Sequence, residues 1–217
     1  MVLYRHGRTE WNVARRFQGQ LDVPLDDVGR SQAAAAARVL IGLRPDRLVS
    51  SDLSRAADTA AELAGLASLS VGLDPGLRET YGAAWQGLSA EEIKASYPEA
   101  LRAWLAGGDI PVPGAETREQ TGQRTAAAVR HALEGLPAGA TLVAVTHGGA
   151  ARAGIGVMLG LPRSLWGVIG GLANCSWSVL EEHPAAESTP DGSPAFRLVE
   201  HNAGVLPQPV LGQEAGS

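Results

Sequence analysis

Short apolar runs and longer amphipathic segments alternate along the chain. Runs of strand length lie at 1–5, 47–50, 69–73 and 141–146, and two more at 174–181 and 194–200. The spacing of apolar residues between them predicts helices over about 29–43, 53–67, 116–136 and 148–159, while 74–118 reads as loops with two short helices. One of those opens at Ser89 with Glu92 three positions on, the spacing of a capping box. This alternation predicts an α/β fold: a three-layer α/β/α sandwich whose mostly parallel sheet is covered on both faces and carries an antiparallel edge strand. A single domain over 1–205 is expected, with no internal repeat. The connection 182–194, rich in Pro, Ser, Asp and Gly, reads as a flexible hairpin loop, and the tail 206–217 as disordered.

Composition narrows the class. At 217 residues and 45% apolar content the chain can bury a full core. No run approaches the roughly 20 apolar residues that cross a bilayer, and the first strand begins without a charged, signal-like segment, so no membrane partner and a cytoplasmic location are expected. Cys175 is the sole cysteine, which excludes an internal disulfide and a cysteine metal cage; its apolar setting reads as a buried strand. The net charge of −5 and the lack of a basic run argue against a nucleic-acid partner. Of the 18 basic residues only Lys94 is a lysine. With alanine and glycine also abundant, that bias reads as codon usage, so only arginines fixed by a motif carry weight.

Chemistry enters at two strand ends. The first strand delivers Arg5-His6-Gly7-Arg8, and the strand at 141–146 delivers His147-Gly148-Gly149. In open α/β sheets ligands bind beyond the carboxyl ends of the strands, so both imidazoles are expected in one crevice. Arginines beside them suit a phosphate monoester, which carries close to two negative charges and accepts bidentate guanidinium donors. Arg55, in Ser50-Ser51-Asp52-Leu53-Ser54-Arg55, follows the second strand and opens a helix, so it falls at the same crevice. His6 is the candidate nucleophile, and Glu79, after the strand at 69–73, the candidate proton donor. Arg8 is a candidate for a substrate carboxylate, and Gln18 and Gln20 for substrate hydroxyls, with Gly19 between them. His131, His183 and His201 read as surface or strand-end residues, Glu10 as ordering its loop, and Trp11, Trp85 and Trp177 as packing.

Taken in order, Arg5-His6-Gly7-Arg8-Thr9-Glu10-Trp11-Asn12, Phe17–Leu25, Ser50–Ala56, Leu77-Arg78-Glu79 and His147-Gly148-Gly149 resemble the histidine phosphatase superfamily, which contains the cofactor-dependent phosphoglycerate mutases. The resemblance runs from residue 1 to about 202. It implies a phosphoglycerate mutase-like fold, His6 as nucleophile, a phosphate pocket of Arg5, Arg55 and His147, Glu79 as the acid, and neither metal nor cofactor. It further implies that Asn12 contacts phosphate or supports the pocket, that Gly148 belongs to the same pocket, and that Asn174 lies near it. One departure follows the acid: the family pattern places glycine two residues before Trp85, whereas here glycine is Gly82 and the position is Ala83, so either Ala83 adopts a backbone conformation usual for glycine or the loop is rearranged.

Within the superfamily, Phe17–Asp22, Ser50–Ala56, Leu77–Thr80 with Trp85–Leu88, and Gly170–Trp177 are most similar to the actinobacterial glucosyl-3-phosphoglycerate phosphatases. That implies a small phosphate-ester substrate. Residues 88–118 hold few cations, Lys94, Arg102 and Arg118, among several carboxylates. Water is therefore expected as the final acceptor. A phosphoglycerate mutase, a broad-specificity phosphatase and a non-catalytic phospho-ligand module remain alternatives, as does a homodimer formed through Leu161–Leu172 with Trp166.

Overall fold

The computed structural model describes residues 1–183 and 195–205. The expected hairpin connection, from 184 on, and the expected disordered tail lie outside the described residues. In chain order the elements are β1 (Val2–Arg5), α1 (Glu10–Val13), α2 (Asp27–Leu40), β2 (Arg47–Ser50), α3 (Ser54–Ala67), β3 (Val71–Leu73), α4 (Ala90–Ser96), α5 (Pro98–Leu105), α6 (Arg118–Leu133), β4 (Leu142–Thr146), α7 (Gly148–Met158), β5 (Trp177–Glu182) and β6 (Phe196–Ala203). One sheet runs β3-β2-β4-β1-β5-β6. The pairs β3–β2, β2–β4 and β4–β1 are parallel, and the antiparallel element is the β5–β6 pair at one edge. Among the described residues no helix is long and apolar enough to cross a membrane.

Alternation along the central strands divides the core into two faces. Val2 and Tyr4 of β1, with Val143 and Val145 of β4, face a core completed by α2 and α3. Leu3, Leu142 and Ala144 face the opposite core, completed by α6 and α7. All five residues of β4 are buried, as a strand covered on both sides requires. The alanines of α2 are more than a compositional bias. Ala33, Ala36 and Ala37 are buried against the sheet, where small side chains let the helix seat closely. A third cluster stands apart from the sheet: Trp85, Ile93 and Ile110, with Phe17, Tyr97 and Trp104 packed around them.

Three features differ from the expectation. Residues 10–13 form α1, a single turn too short for periodicity to reveal, held by a reciprocal Thr9–Asn12 capping box. β5 starts at Trp177 rather than 174, because Cys175 takes φ +55° and its N–H reaches back to the carbonyls of Arg5 and His6. Cys175 is thus buried in a turn, where burial pushes its thiol up to about 11. Trp166, expected beside an interface, is buried in its own chain, packed on Gly122 and Gly156, with Nε1 donating to Leu161 O at 3.0 Å.

Glycine is required where α2 meets the loop after β1. A Cβ on Gly29 would lie 2.0 Å from the carbonyl oxygen of Arg8, a backbone atom that cannot swing aside. After the acid segment, Gly82 leaves room for the Phe17 ring, which a Cβ would meet at 2.3 Å, and Ala83 takes φ +46°, the glycine-like of the two alternatives. Gly29→Ala is expected to lower stability by about 1–3 kcal/mol through overpacking, read from denaturant unfolding; an unchanged midpoint would contradict the close approach. Ala83→Gly is expected to gain about 1 kcal/mol by relieving left-handed strain, seen as a higher Tm.

Candidate active site

Parallel register brings the two imidazoles together. Arg5 pairs with Thr146 across β1 and β4, and the His6 N–H donates to Thr146 O at 3.0 Å, so His6 and His147 leave the sheet side by side. Their ring centroids stand 5.0 Å apart, and both residues are buried. β2 ends one strand further over and delivers Ser51; Arg55 sits in the first turn of α3, fully buried. After β3 the chain makes a 3₁₀ turn, Pro75–Leu77, and reaches Glu79. All five principal candidates thus gather at the carboxyl ends of the parallel strands.

Hydrogen bonds assign the tautomers. His6 Nδ1 lies 2.7 Å from the carbonyl oxygen of Gly7, which can only accept, so Nδ1 carries the proton and Nε2 keeps its lone pair. His147 has the opposite form. Arg55 Nε donates to its Nδ1 at 3.2 Å, and its protonated Nε2 donates to Ser51 Oγ at 2.9 Å. Burial, with the charges of Arg55 and Arg5, holds both imidazoles well below the ordinary histidine value and therefore neutral.

The guanidiniums have no carboxylate in contact. Arg5 donates from Nη1 to the carbonyl of Leu172, and its Nε has no partner. Arg55 donates to the carbonyls of Leu21 and Gly19 at 2.8 Å each, besides His147. Burial lowers Arg55 to about 10, still charged at neutral pH. Arg55, buried, and Arg5, half-buried, with only dipoles in direct contact, make a site that favours an anion. Glu79 is the carboxylate whose charge acts on both. Its oxygens accept from the backbone N–H of Thr80 at 2.8 Å and of Gly149 and Ala150 at 3.0 Å each, which docks it on the first turn of α7.

The remaining candidates divide. Gly19 contributes its carbonyl to Arg55 and faces Gln86, whose side-chain oxygen accepts from the Gln20 N–H at 2.7 Å. Gln20 uses one amide hydrogen inside the protein, its Nε2 donating to Glu79 O at 3.1 Å. Gln18 keeps a buried, unpartnered Oε1. Gly148 lies beside Arg5, whose Cζ would sit 3.4 Å from a Cβ there. Asn12 Oδ1 is occupied by Thr9 and by Asn174, leaving its amide hydrogens for an anion. Asn174 donates to the carbonyls of His6 and Gly7, so it supports the nucleophile loop rather than reaching a substrate through that nitrogen. Arg8 is paired with Asp26 at 2.8 Å. Trp85 is fully buried and packs against Phe17 and Trp104, out of reach of a sugar ring. Among the described residues no three His, Cys, Asp or Glu side chains group as metal ligands. A surface concavity lined by Glu116, Gln120 and Arg124 contains none of the five principal candidates.

Sequence reasoning passed over several supporting residues. Ser51 stood inside a quoted motif without a role. Thr59, one helical turn beyond Arg55, accepts from the Gly7 N–H at 3.0 Å and donates to Arg55 O at 2.7 Å, and the i, i+4 spacing was its signal. Arg124 and Glu116 had no local signal, since only the fold brings them to the Glu79 segment.

Comparison with known proteins gives consistent results. The profile of the Histidine phosphatase superfamily (branch 1) matches residues 1–188. A glucosyl-3-phosphoglycerate phosphatase of Mycolicibacterium vanbaalenii is 40% identical over 196 residues, covering 88% of this chain and 87% of that protein. A probable phosphoglycerate mutase, GpmB, of Yersinia pestis is 34% identical, with 75% of each chain covered. The solved structure of a mycobacterial glucosyl-3-phosphoglycerate phosphatase complexed with VO3 superimposes with a TM-score of 0.86 at 38% identity, covering 94% of this chain and 98% of that one.

A depressed imidazole pKa means that an unfolded histidine takes up a proton, near pH 6.5, that the folded one refuses. Stability from burying neutral His6 and His147 is therefore complete above about pH 6.5 and declines as pH falls below it. Proton–nitrogen correlation spectra should show neither ring titrating between about pH 6 and 8, with Nδ1–H on His6 and Nε2–H on His147. A protonated ring at pH 7 would contradict the assignment.

Proposed function

The chain belongs to the histidine phosphatase superfamily, and we propose that it is a phosphomonoester hydrolase acting through a phosphohistidine on His6. One observation carries this reading: a neutral imidazole with a bare Nε2 lies in the same crevice as a buried guanidinium, Arg55, and a half-buried one, Arg5, that no carboxylate contacts. Nε2 attacks phosphorus in line, forming the N–P bond as the ester P–O bond breaks. The positive charge that develops on the ring is shared through Nδ1–H with the Gly7 carbonyl. Arg5 and Arg55 neutralise the equatorial oxygens, and His147 acts through Arg55, whose Nε it accepts. Charge neutralisation by arginine leaves no step that calls for a metal.

Glu79, in its protonated form, gives its proton to the departing alkoxide and then takes one from water as water attacks the phosphohistidine. The N–P bond breaks, inorganic phosphate leaves, and His6 returns neutral. Asn12 and Gly148 are assigned to the phosphate, and Gln18 and Arg8 to the rest of the substrate. Support for glucosyl-3-phosphoglycerate, or a related sugar or glycerate phosphate, comes from the name of the 40% identical relative and from the coverage of the match. Water is favoured over a second phosphate acceptor because the 88–118 segment holds few cations, Lys94, Arg102 and Arg118. Arg118 donates to the carbonyls of Gly108 and Trp104, and Arg102 lies beside Glu99. A doubly charged ester does not cross a bilayer unaided, so the reading also places the enzyme in the cytoplasm.

A kcat/KM panel of glucosyl-3-phosphoglycerate, 3-phosphoglycerate and simple sugar phosphates tests the substrate. A preference of about tenfold or more for the glucosylated ester, equal to about 1.4 kcal/mol of differential transition-state binding, is expected. Equal values across the panel would overturn the substrate assignment, and conversion of 3-phosphoglycerate to its isomer in the presence of a bisphosphate primer would make the protein a mutase.

A further inference from the structure

Arg124 on α6 spends three of its five donors on the segment that carries Glu79 and the other two on Glu116. Nη1 donates to the carbonyls of Gly76 at 2.9 Å and Arg78 at 2.6 Å, and Nη2 to the carbonyl of Glu79 at 2.8 Å. Nε and the other Nη2 hydrogen go to the two oxygens of Glu116, at 2.8 and 2.9 Å. A guanidinium has five N–H donors in a rigid fork, and all five are accounted for here. Glu116 completes the grip from the other side of the acid. Its Oε2 accepts from the Tyr81 N–H at 2.7 Å, and its own N–H donates to the Tyr81 carbonyl at 2.9 Å. The backbone is therefore clamped at 76, 78 and 79 before the carboxyl-bearing side chain and at 81 after it.

Both members are mostly buried, with side chains 22% and 21% exposed. Burial works against the Glu116 carboxylate, but the donors of Arg124 and Tyr81 outweigh it and hold Glu116 below the ordinary carboxylate range. A neutral side chain could pack in this place; a fully saturated ion pair aimed at three carbonyls of one loop, those of Gly76, Arg78 and Glu79, does something more specific. General acid catalysis needs the proton within hydrogen-bond reach of the leaving oxygen, a tolerance of tenths of an ångström. Glu79 meets the first turn of α7 through its carboxylate, while its backbone is fixed only by this clamp and by Gln20.

We infer that Arg124, locked by Glu116, is the positioning residue of the catalytic acid: it sets where the Glu79 carboxyl stands relative to the ester oxygen without touching substrate itself. This rests on Glu79 being the acid. The inference separates from a merely structural role through leaving-group dependence. An aryl phosphate such as p-nitrophenyl phosphate departs as a stable phenolate and needs no proton, whereas an alkyl phosphate such as 3-phosphoglycerate needs one. Loss of acid positioning must slow the second and spare the first.

The test compares kcat/KM, which reads steps up to phosphoenzyme formation, on both esters for wild type, Glu79→Gln, Arg124→Met, Arg124→Lys and Glu116→Gln. Glu79→Gln is expected to lose about a hundredfold on the alkyl ester and less than about threefold on the aryl ester. Arg124→Met is expected to lose about tenfold or more on the alkyl ester alone, and Arg124→Lys, which cannot span five acceptors, to fall between it and wild type. Selective loss in Glu79→Gln with equal losses, or none, in the Arg124 and Glu116 variants would overturn the positioning role and leave the acid in place. Equal losses in Glu79→Gln itself would overturn the acid and this inference with it. If Arg124→Met fails to fold, Arg124→Lys and Glu116→Gln decide by the same ratio.

Discussion

Two guanidiniums, Arg55 buried and Arg5 half-buried, neither with a carboxylate in contact, impose the constraint on which the rest of the site depends. A cation removed from water must be compensated, and here compensation comes from carbonyl dipoles: Leu172 for Arg5, and Gly19 and Leu21 for Arg55. Neutral carbonyls hold the groups in place without cancelling their charge, so a field remains for an anion to satisfy. The same field, together with burial, keeps His6 and His147 unprotonated. One arrangement thus both attracts a phosphate ester and supplies a nucleophile with a free electron pair.

Around that centre the protein invests in exact backbone placement. Gly29 lets α2 close on the loop after β1, and Thr59 and Asn174 tie down Gly7 and His6. Glu79 arrives from a separate loop and is fixed at both ends, its carboxylate on the first turn of α7 and its backbone on Arg124. The cluster around Trp85 and Trp104 lies off the sheet, and it reaches the acid segment through Phe17, Gly82 and Gln86. Substrate selection can therefore vary in that lobe while the phosphate pocket, built on strand ends, stays constant.

What could be read from sequence was whatever is encoded locally. Apolar runs ending in His-Gly announce a strand end and its turn, so a shared crevice for His6 and His147 was legible, whereas the direct pairing of β1 with β4 that sets them side by side was not. The displaced glycine before Trp85 pointed to a positive φ at Ala83 as one of two outcomes. Contacts between segments far apart in sequence were not legible. Gln20 reads from its loop as a substrate ligand, and its bond to the acid loop, 59 residues away, has no signal in the local sequence. Trp166 looked like an interface aromatic until Gly122 and Gly156 provided an internal slot for it. Arg124 stands 45 residues from Glu79, and no local spacing links them.

The central claim is a covalent bond from phosphorus to Nε2 of His6. Its most direct measurement is rapid quenching of the enzyme with radiolabelled ester, followed by peptide mapping of the label. The account predicts an acid-labile, base-stable label on the peptide holding His6, formed and consumed at the rate of turnover and absent from His6→Ala. Turnover at an undiminished rate with no labelled protein, or a label mapped to a residue other than His6, would contradict it.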